Sequence, residues 1–173
     1  VTNVSYVPSS NDARYPVYLD RQDDIDRMRA LVAMLVDQGR FQVSEEEAGK
    51  LGGRIRMEKA FDPSLGIYAA YAYSAAGLAD QVEDVLYYMR GDLNISVFDV
   101  VLLASRRIKK EEWPTVPFVP VLTQAWNLLR PRGFELPPAV AGLRPQLRNS
   151  LWTTFSAEAA DVLADAVERG DIT

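Results

Sequence analysis

One stretch of this sequence, residues 61–89, most constrains the fold because its local signals describe two helices joined by a tight corner. Asp62 stands where an N-cap residue begins a helix, and Gly77 stands where a left-handed residue ends one. Asp80 is placed to cap a second helix, and Glu83 completes an aspartate version of the capping box. The stretch therefore predicts a helical hairpin around which the remaining helices pack.

Outside this hairpin the apolar residues recur at helical spacing, and no convincing sheet pattern is present. The pattern is clearest over residues 20–38, while residues 97–103 are apolar on nearly all sides, which is typical of a central helix. We predict an all-α fold, a compact bundle of about seven helices. Further helices or helical turns are expected near residues 44–55, 121–129, 139–142, 146–152 and 156–168.

Capping residues and glycines divide these predicted helices. Ser44 with Glu47 and Ser96 with Asp99 are spaced as capping boxes, and Ser156 is placed to cap the last helix. In that helix the residues predicted to face inward are Ala159, Val162, Leu163, Ala166 and Val167. The predicted stops are Gly39, Gly91, Pro131-Arg132-Gly133 and Gly170.

Residues 1–19 contain two prolines and a Ser-Ser-Asn-Asp cluster but no helical period. We therefore predict an extended arm or linker over residues 1–19, followed by a helical domain over residues 20–173. The arm either lies on the helices or forms a short strand that pairs outside this chain. The alternating residues that favour a strand are Val4, Tyr6, Tyr15, Val17 and Leu19.

The chain has no cysteine and no histidine among its 173 residues. A Ser-His-Asp triad, a Cys-His dyad, a Cys/His zinc site and a thiol redox centre therefore cannot be assembled from this chain alone. We accordingly expect no catalytic residue, no metal site and no cofactor. A net charge of −5 argues against nucleic acid as the main partner.

No apolar run approaches the roughly 20 residues that a membrane-spanning helix needs. No charged start followed by an apolar core resembles a signal peptide either. We therefore expect a cytoplasmic protein that does not bind membranes. The cytoplasmic expectation is only a default, because the sequence starts with Val rather than Met and a targeting segment ahead of it would not be seen.

Acidic residues in the first turns of the helix over 20–38 offer an alternative function. A small carboxylate- or metal-dependent enzyme would use Asp23, Asp24 and Asp26, or residues 45–47, which are all glutamate. The aspartates lack the glycine and terminal glutamate of a calcium loop, and the helix dipole alone favours acidic first turns. A solvated helix start is therefore favoured. A third alternative is a structural domain that holds an oligomer together.

Aromatic residues of the hairpin and of the proline-rich connector at 113–120 suggest a protein-binding surface. Rigid aromatic side chains are where interface energy is often concentrated. The alternative is that most of these rings are core, since aromatic residues at helical spacing are usually buried. The predicted binding residues are Tyr68, Tyr71, Tyr87, Tyr88, Trp113 and Phe118.

The hairpin also approaches the rhythm of a tetratricopeptide repeat. The residues that match this rhythm are Ala70, Tyr73, Gly77, Val82 and Leu86. A solenoid needs three or more such units, and the flanking regions do not repeat the spacing at about 34 residues. The likeness therefore predicts one tetratricopeptide-like helical hairpin within a compact domain.

Longer strings resemble a helical accessory region that accompanies caspase-like or trypsin-like peptidase domains in bacterial conflict and defence proteins. The similarity covers most of the chain from about Arg40 to the last helix, and its residues are mainly of core type. The strings that carry it are FDPSLGIYAAYAYSAAGLADQVEDVLYYMR, VFDVVLLAS, PVLTQAWNLL and LWTTF. The peptidase part is not matched, since this chain has neither His nor Cys.

The resemblance implies a non-catalytic regulatory or interaction module of a peptidase system. Its expected partner is a protein, either a peptidase domain or its substrate, and the expected assembly is a hetero-oligomer. The chain would then be a fragment, a processed subunit or a separate partner of the peptidase.

Overall fold

The computed structural model describes residues 5–37, 46, 49–50, 52–53, 62–94, 96–104 and 117–172. Over these residues the chain is all-α, as predicted, and no strand is present. The α-helices are α1 (Tyr15–Asp37), α2 (Pro63–Ala75), α3 (Ala79–Leu93), α4 (Phe98–Ala104), α5 (Pro138–Ala141) and α6 (Glu158–Glu168). Short 3₁₀ helices cover Thr123–Asn127, Arg130–Arg132 and Arg144–Gln146.

Helices α2 and α3 form the hairpin at the centre of the fold. The side chain of Asp62 accepts a hydrogen bond from the backbone N–H of Ser64, so Asp62 caps α2 as predicted. Gly77 adopts a left-handed φ of 75° at the corner. Helix α2 packs against α1, α3 and α4, and every residue from Ser64 to Tyr73 is buried.

The start and end of α3 differ from the prediction. Leu78 is the residue before the helix, and no side chain caps it, so the predicted capping box of Asp80 with Glu83 is wrong. Asp80 instead lies in the first turn, where the helix dipole favours an acidic residue. The helix passes through Gly91 and ends at Leu93, because Asn94 adopts a left-handed φ of 53° and stops it.

Helix α4 is central, as its apolar sequence predicts: all seven of its residues are buried. The predicted capping box of Ser96 with Asp99 is not formed. Ser96 accepts a hydrogen bond from Arg90 instead, and the carboxylate of Asp99 points into the core.

Helix α1 begins at Tyr15 rather than at Asp20, so the non-helical lead-in is shorter than predicted. Asp12 accepts hydrogen bonds from the backbone of Arg14 and, through its carbonyl, of Tyr15, which turns the chain into the helix. The ring of Tyr18 then enters the core. Residues 15–19, which we predicted as part of an extended arm, are therefore helical.

Residues 46, 49–50 and 52–53 are helical. The predicted capping signal of Ser44 with Glu47 lies outside the described residues. A Cβ added to Gly52 would overlap the ring of Tyr73 on α2, so this glycine packs closely against a neighbour.

The segment after residue 117 is less regular than its apolar spacing suggests. The helix predicted over 121–129 is a 3₁₀ helix, and the turn predicted over 146–152 is replaced by two antiparallel bridges, Leu122 with Trp152 and Leu147 with Phe155. These bridges give backbone groups partners that a helix would otherwise supply: Thr123 N–H donates to the carbonyl of Leu151, and Thr153 N–H to that of Val121.

Only part of the face of α6 that we predicted to point inward is buried. Ala159 and Ala166 are buried and Leu163 is half-buried, whereas Val162 and Val167 are exposed. Ser156 does not cap this helix, which starts after Ala157 without a side-chain cap. The hydroxyl of Ser156 bonds to the side chain of Gln146 instead. Gly170 adopts a left-handed φ of 72° and follows the helix as predicted.

Candidate protein-binding surface

The structure separates the six aromatic residues that the sequence grouped as a binding surface. Tyr68 and Tyr71 are 3% and 6% exposed, so they belong to the core. Tyr87 and Tyr88 are 74% and 44% exposed. The remaining two are Phe118, which is half-buried against the core, and Trp113, which lies outside the described residues.

Tyr68 and Tyr71 are held inside by specific contacts. The ring of Tyr68 meets Trp152 edge-on with centroids 6.0 Å apart, and burial raises the pKa of the Tyr68 hydroxyl. The Tyr71 hydroxyl donates to Asp99 Oδ1 at 2.8 Å. Both side chains therefore stabilise the fold and are not available to a partner.

The two exposed tyrosines follow from the periodicity of α3. Val82, Val85, Leu86 and Met89 form the buried face of this helix. The tyrosines lie to either side of the opposite face because successive helical residues are about 100° apart. Their rings are packed edge-to-face, with centroids 5.5 Å apart and an interplanar angle of 80°. Each ring therefore helps to fix the other while much of their surface stays in contact with water.

Gly91 lies one turn after Tyr87 on the outer face of α3. It is exposed, and an added Cβ would have no described atom within 4 Å. A glycine inside a helix costs about 0.5–1 kcal/mol relative to alanine. Packing among the described residues gives no reason for this cost. The missing side chain leaves the backbone of α3 uncovered beside Tyr87, and we call this uncovered position the gap at Gly91.

The outer face of α3 is acidic. The helix carries Arg90 as its one basic residue. Its acidic residues are Asp80, Glu83, Asp84 and Asp92. Asp84 is three residues from Tyr87 and four from Tyr88, so it shares their side of the helix. The surface therefore combines exposed aromatic area with excess negative charge.

Asp99 is the buried ionisable group that sequence reasoning assigned to the wrong role. Its carboxylate accepts hydrogen bonds from the Tyr71 hydroxyl and from the backbone N–H groups of Val121 and Leu122. Burial raises the pKa of Asp99 to about 6, and these three donors oppose the rise. The available sequence signal was an acidic residue within an otherwise apolar helix. Asp99 joins α4 to α2 and to the segment at 121–122.

A second buried polar group lies where α1 meets the start of α2. Arg29 Nε donates to Asp62 Oδ2 at 2.7 Å, and both side chains are buried. The other guanidinium nitrogens of Arg29 donate to the carboxylate of Asp26 and to the backbone carbonyl of Tyr6. This network has the character of a structural link, because each charge has a partner of opposite sign.

Three carboxylates of the alternative enzyme hypothesis form ion pairs on their own helices. Asp24 pairs with Arg27, and Asp26 with Arg29. Glu46 pairs with Lys50, while Glu45 and Glu47 lie outside the described residues. Among the residues that the structure describes, no group of three or more acidic side chains is arranged to hold a metal ion.

Comparison with known proteins adds no assignment. No family model, no curated protein and no solved structure matches this chain. In the described part of the chain, no helix has both the length and the apolar character needed to cross a membrane.

The functional proposal is based on the outer face of α3, because it carries the two exposed tyrosines Tyr87 and Tyr88.

Proposed function

We propose that this chain is a non-catalytic module that binds a protein through the outer face of α3. The observation that carries the proposal is the exposed, mutually packed pair formed by Tyr87 and Tyr88. A tyrosine supplies a large apolar ring with few rotatable bonds, so it loses little conformational entropy when a partner covers it. Tyrosine is also among the residues enriched at interface hot spots.

The proposed partner is a peptidase domain or the substrate of a peptidase. Support for this part comes from the resemblance of the sequence to helical regions that accompany bacterial peptidase domains. The absence of His and Cys from the chain is consistent with a regulatory or substrate-delivering role beside a separate catalytic domain. The proposed assembly is a cytoplasmic hetero-oligomer of a peptidase-type, defence-related system.

A site-specific cross-link tests the proposal directly. A photoreactive p-benzoylphenylalanine replaces Tyr87, and a matched chain carries it in place of Val167, which is also exposed but lies on α6. Both chains are expressed in the cells that naturally carry this sequence, and the adducts are identified by mass spectrometry. Circular dichroism confirms that each chain is folded.

We expect an adduct from position 87 that is absent from position 167 and contains a peptidase or a protein which that peptidase cleaves. Absence of an adduct at position 87, or equal adducts at both positions, would contradict a binding surface on α3. A specific adduct with a protein unrelated to any peptidase would contradict the peptidase assignment. An adduct with a second copy, together with a concentration-dependent Tm, would favour the structural oligomerisation alternative.

A further inference from the structure

We infer that the outer face of α3 binds a basic segment of its partner through an arginine side chain stacked on Tyr87. This inference rests on the proposed function and specifies the chemistry of the partner. Three features of α3 carry it: the charge around the tyrosines, the arrangement of their rings and the gap at Gly91.

The charge of the helix selects a cationic partner. Four acidic residues and one arginine leave α3 with an excess of negative charge, and the whole chain has a net charge of −5. An acidic or anionic partner would be repelled at this face, and desolvated like charges are costly in an interface. The same repulsion disfavours a second copy of α3 docked face to face and disfavours nucleic acid.

The geometry of the ring pair favours arginine among cationic side chains. The rings of Tyr87 and Tyr88 pack edge-to-face, so they are not stacked face to face on each other. Tyr87 is 74% exposed, so a flat group can reach its ring. A guanidinium is planar and weakly hydrated, so it stacks on an aromatic face while its N–H groups point outward from the edge of the stack.

The gap at Gly91 allows the partner to approach. Gly91 is one turn from Tyr87, and no described atom would lie within 4 Å of a side chain built there. Small residues at a helix surface let another chain come close to the helix backbone. A requirement for close approach is consistent with a glycine at a position where alanine would be more stable.

Two synthetic peptides test the inference. They have the same length and an alanine-rich helical sequence, and they carry either arginine or lysine at the same four positions. Each peptide is titrated into the isotopically labelled chain, and backbone amide shifts are followed by NMR at fixed ionic strength. The variants are Tyr87→Leu, which keeps an apolar side chain without the ring, Gly91→Ala, which fills the gap, and Val167→Leu on α6 as the control.

The arginine peptide should shift amides of α3 around residues 84–91 and bind about two- to fivefold more tightly than the lysine peptide, as expected for a cation on an exposed ring. Tyr87→Leu should remove this preference, and Gly91→Ala should weaken binding of the arginine peptide. Val167→Leu should change neither result.

Equal affinity for the two peptides, or a preference that survives Tyr87→Leu, would overturn the inference. Shifts spread equally over α3 and the acidic helix α6 would also overturn it, because they would indicate attraction by charge alone. The cross-link at position 87 separates this failure from that of the proposed function. A peptidase-related adduct whose contact peptide lacks basic residues leaves the proposed function standing and rejects the arginine contact, whereas absence of an adduct rejects the proposed function itself.

Discussion

The Tyr71 hydroxyl donates a 2.8 Å hydrogen bond to Asp99 Oδ1, which joins α2 to α4 across the centre of the core. The same oxygen also accepts the backbone N–H of Leu122 at 3.0 Å, while Oδ2 accepts that of Val121. One carboxylate thus satisfies three donors from two other parts of the chain, and the Tyr71 and Leu122 donors are buried. A side chain of this kind fixes how the elements around it pack, because leaving any of its donors unpaired is costly.

Asp99→Ala is expected to be strongly destabilising, because it leaves the Tyr71 hydroxyl and the backbone N–H groups of Val121 and Leu122 without their acceptor. The loss should be roughly 2–4 kcal/mol in free energy of unfolding, measured by urea denaturation. Tyr71→Phe is the matched control, since it removes one donor and leaves the two backbone bonds, and it should cost only about 1 kcal/mol. Equal losses for the two variants would contradict the central role of the carboxylate.

The Asp99 carboxyl also predicts a pH dependence of stability. Burial raises its pKa from 3.8 to about 6, so between these values the folded chain holds a proton that the unfolded chain releases. The proton-linked part of the contribution of Asp99 to the free energy of unfolding should therefore be fully present below about pH 4 and be lost as pH rises through about 6.

Comparison with Asp99→Asn isolates this effect from other carboxylates. The stability lost on Asp99→Asn should be larger at pH 4.5 than at pH 7, because only the wild-type chain loses its protonated acid over that interval. The check is urea denaturation of both proteins at the two pH values. A loss that is the same at both values, or larger at pH 7, would show that the pKa is not raised.

Asp62→Ala and Asp26→Ala should differ sharply although both remove an ion-pair partner of Arg29. Asp62 is buried, so its removal leaves Arg29 as a poorly compensated buried charge and uncaps α2, at a cost of about 3–5 kcal/mol. Asp26 is largely exposed, and its pair should contribute less than about 1 kcal/mol. Thermal and urea unfolding of the two variants measure the difference, and similar stabilities would refute a structural role for the buried pair.

Replacing Gly66 or Gly91 by alanine should have opposite effects on the stability of the fold. A Cβ at Gly66 would overlap the buried side chain of Met89, so Gly66→Ala should destabilise the chain by about 1–3 kcal/mol. Gly91 has open space, so Gly91→Ala should stabilise it by about 0.5–1 kcal/mol. The Tm of each variant tests the pair. A lower Tm for Gly91→Ala would show that this glycine has a structural role after all.

Tyr88→Ala should weaken partner binding and leave the fold intact. Tyr88 is 44% exposed and packs edge-to-face with Tyr87, so its loss removes interface area and loosens its neighbour. If Tyr88 is a hot spot, truncation should cost on the order of 2 kcal/mol of binding free energy, measured by calorimetry with the cross-linked partner. Circular dichroism monitors the fold. Unfolding, or unchanged affinity, would count against the assignment.

Local sequence signals predicted the structure correctly at positions where the backbone conformation depends only on residues close by in the chain. The cap at Asp62 and the left-handed residues Gly77 and Gly170 depend on backbone conformation within a few positions, and the structure confirms all three. Signals that compete locally were less informative. Gly91 and Asn94 both favour the end of α3, and the helix takes the later one because nothing in the sequence forces an earlier stop.

Long-range partners could not be predicted from spacing. Asp99 has the spacing of a capping box with Ser96, but its actual partners are 28, 22 and 23 residues away. The division of the tyrosines has the same cause. Tyr71 and Tyr87 are chemically identical, and only the packing of α2 between α1, α3 and α4 makes one buried and the other exposed.

The two carboxylate oxygens of Asp62 have different partners: Oδ1 caps α2, and Oδ2 accepts a hydrogen bond from Arg29. Arg29 also donates to the backbone carbonyl of Tyr6. Arg29 therefore links the segment ahead of α1 to the first turn of the central hairpin, and the hydroxyl of Tyr18 also donates to the carbonyl of Tyr6. A force applied to that segment would therefore act on Arg29 before it acts on Asp62. The Arg29 and Asp62 side chains are buried and so shielded from salt, and raising the ionic strength should therefore hardly weaken this link.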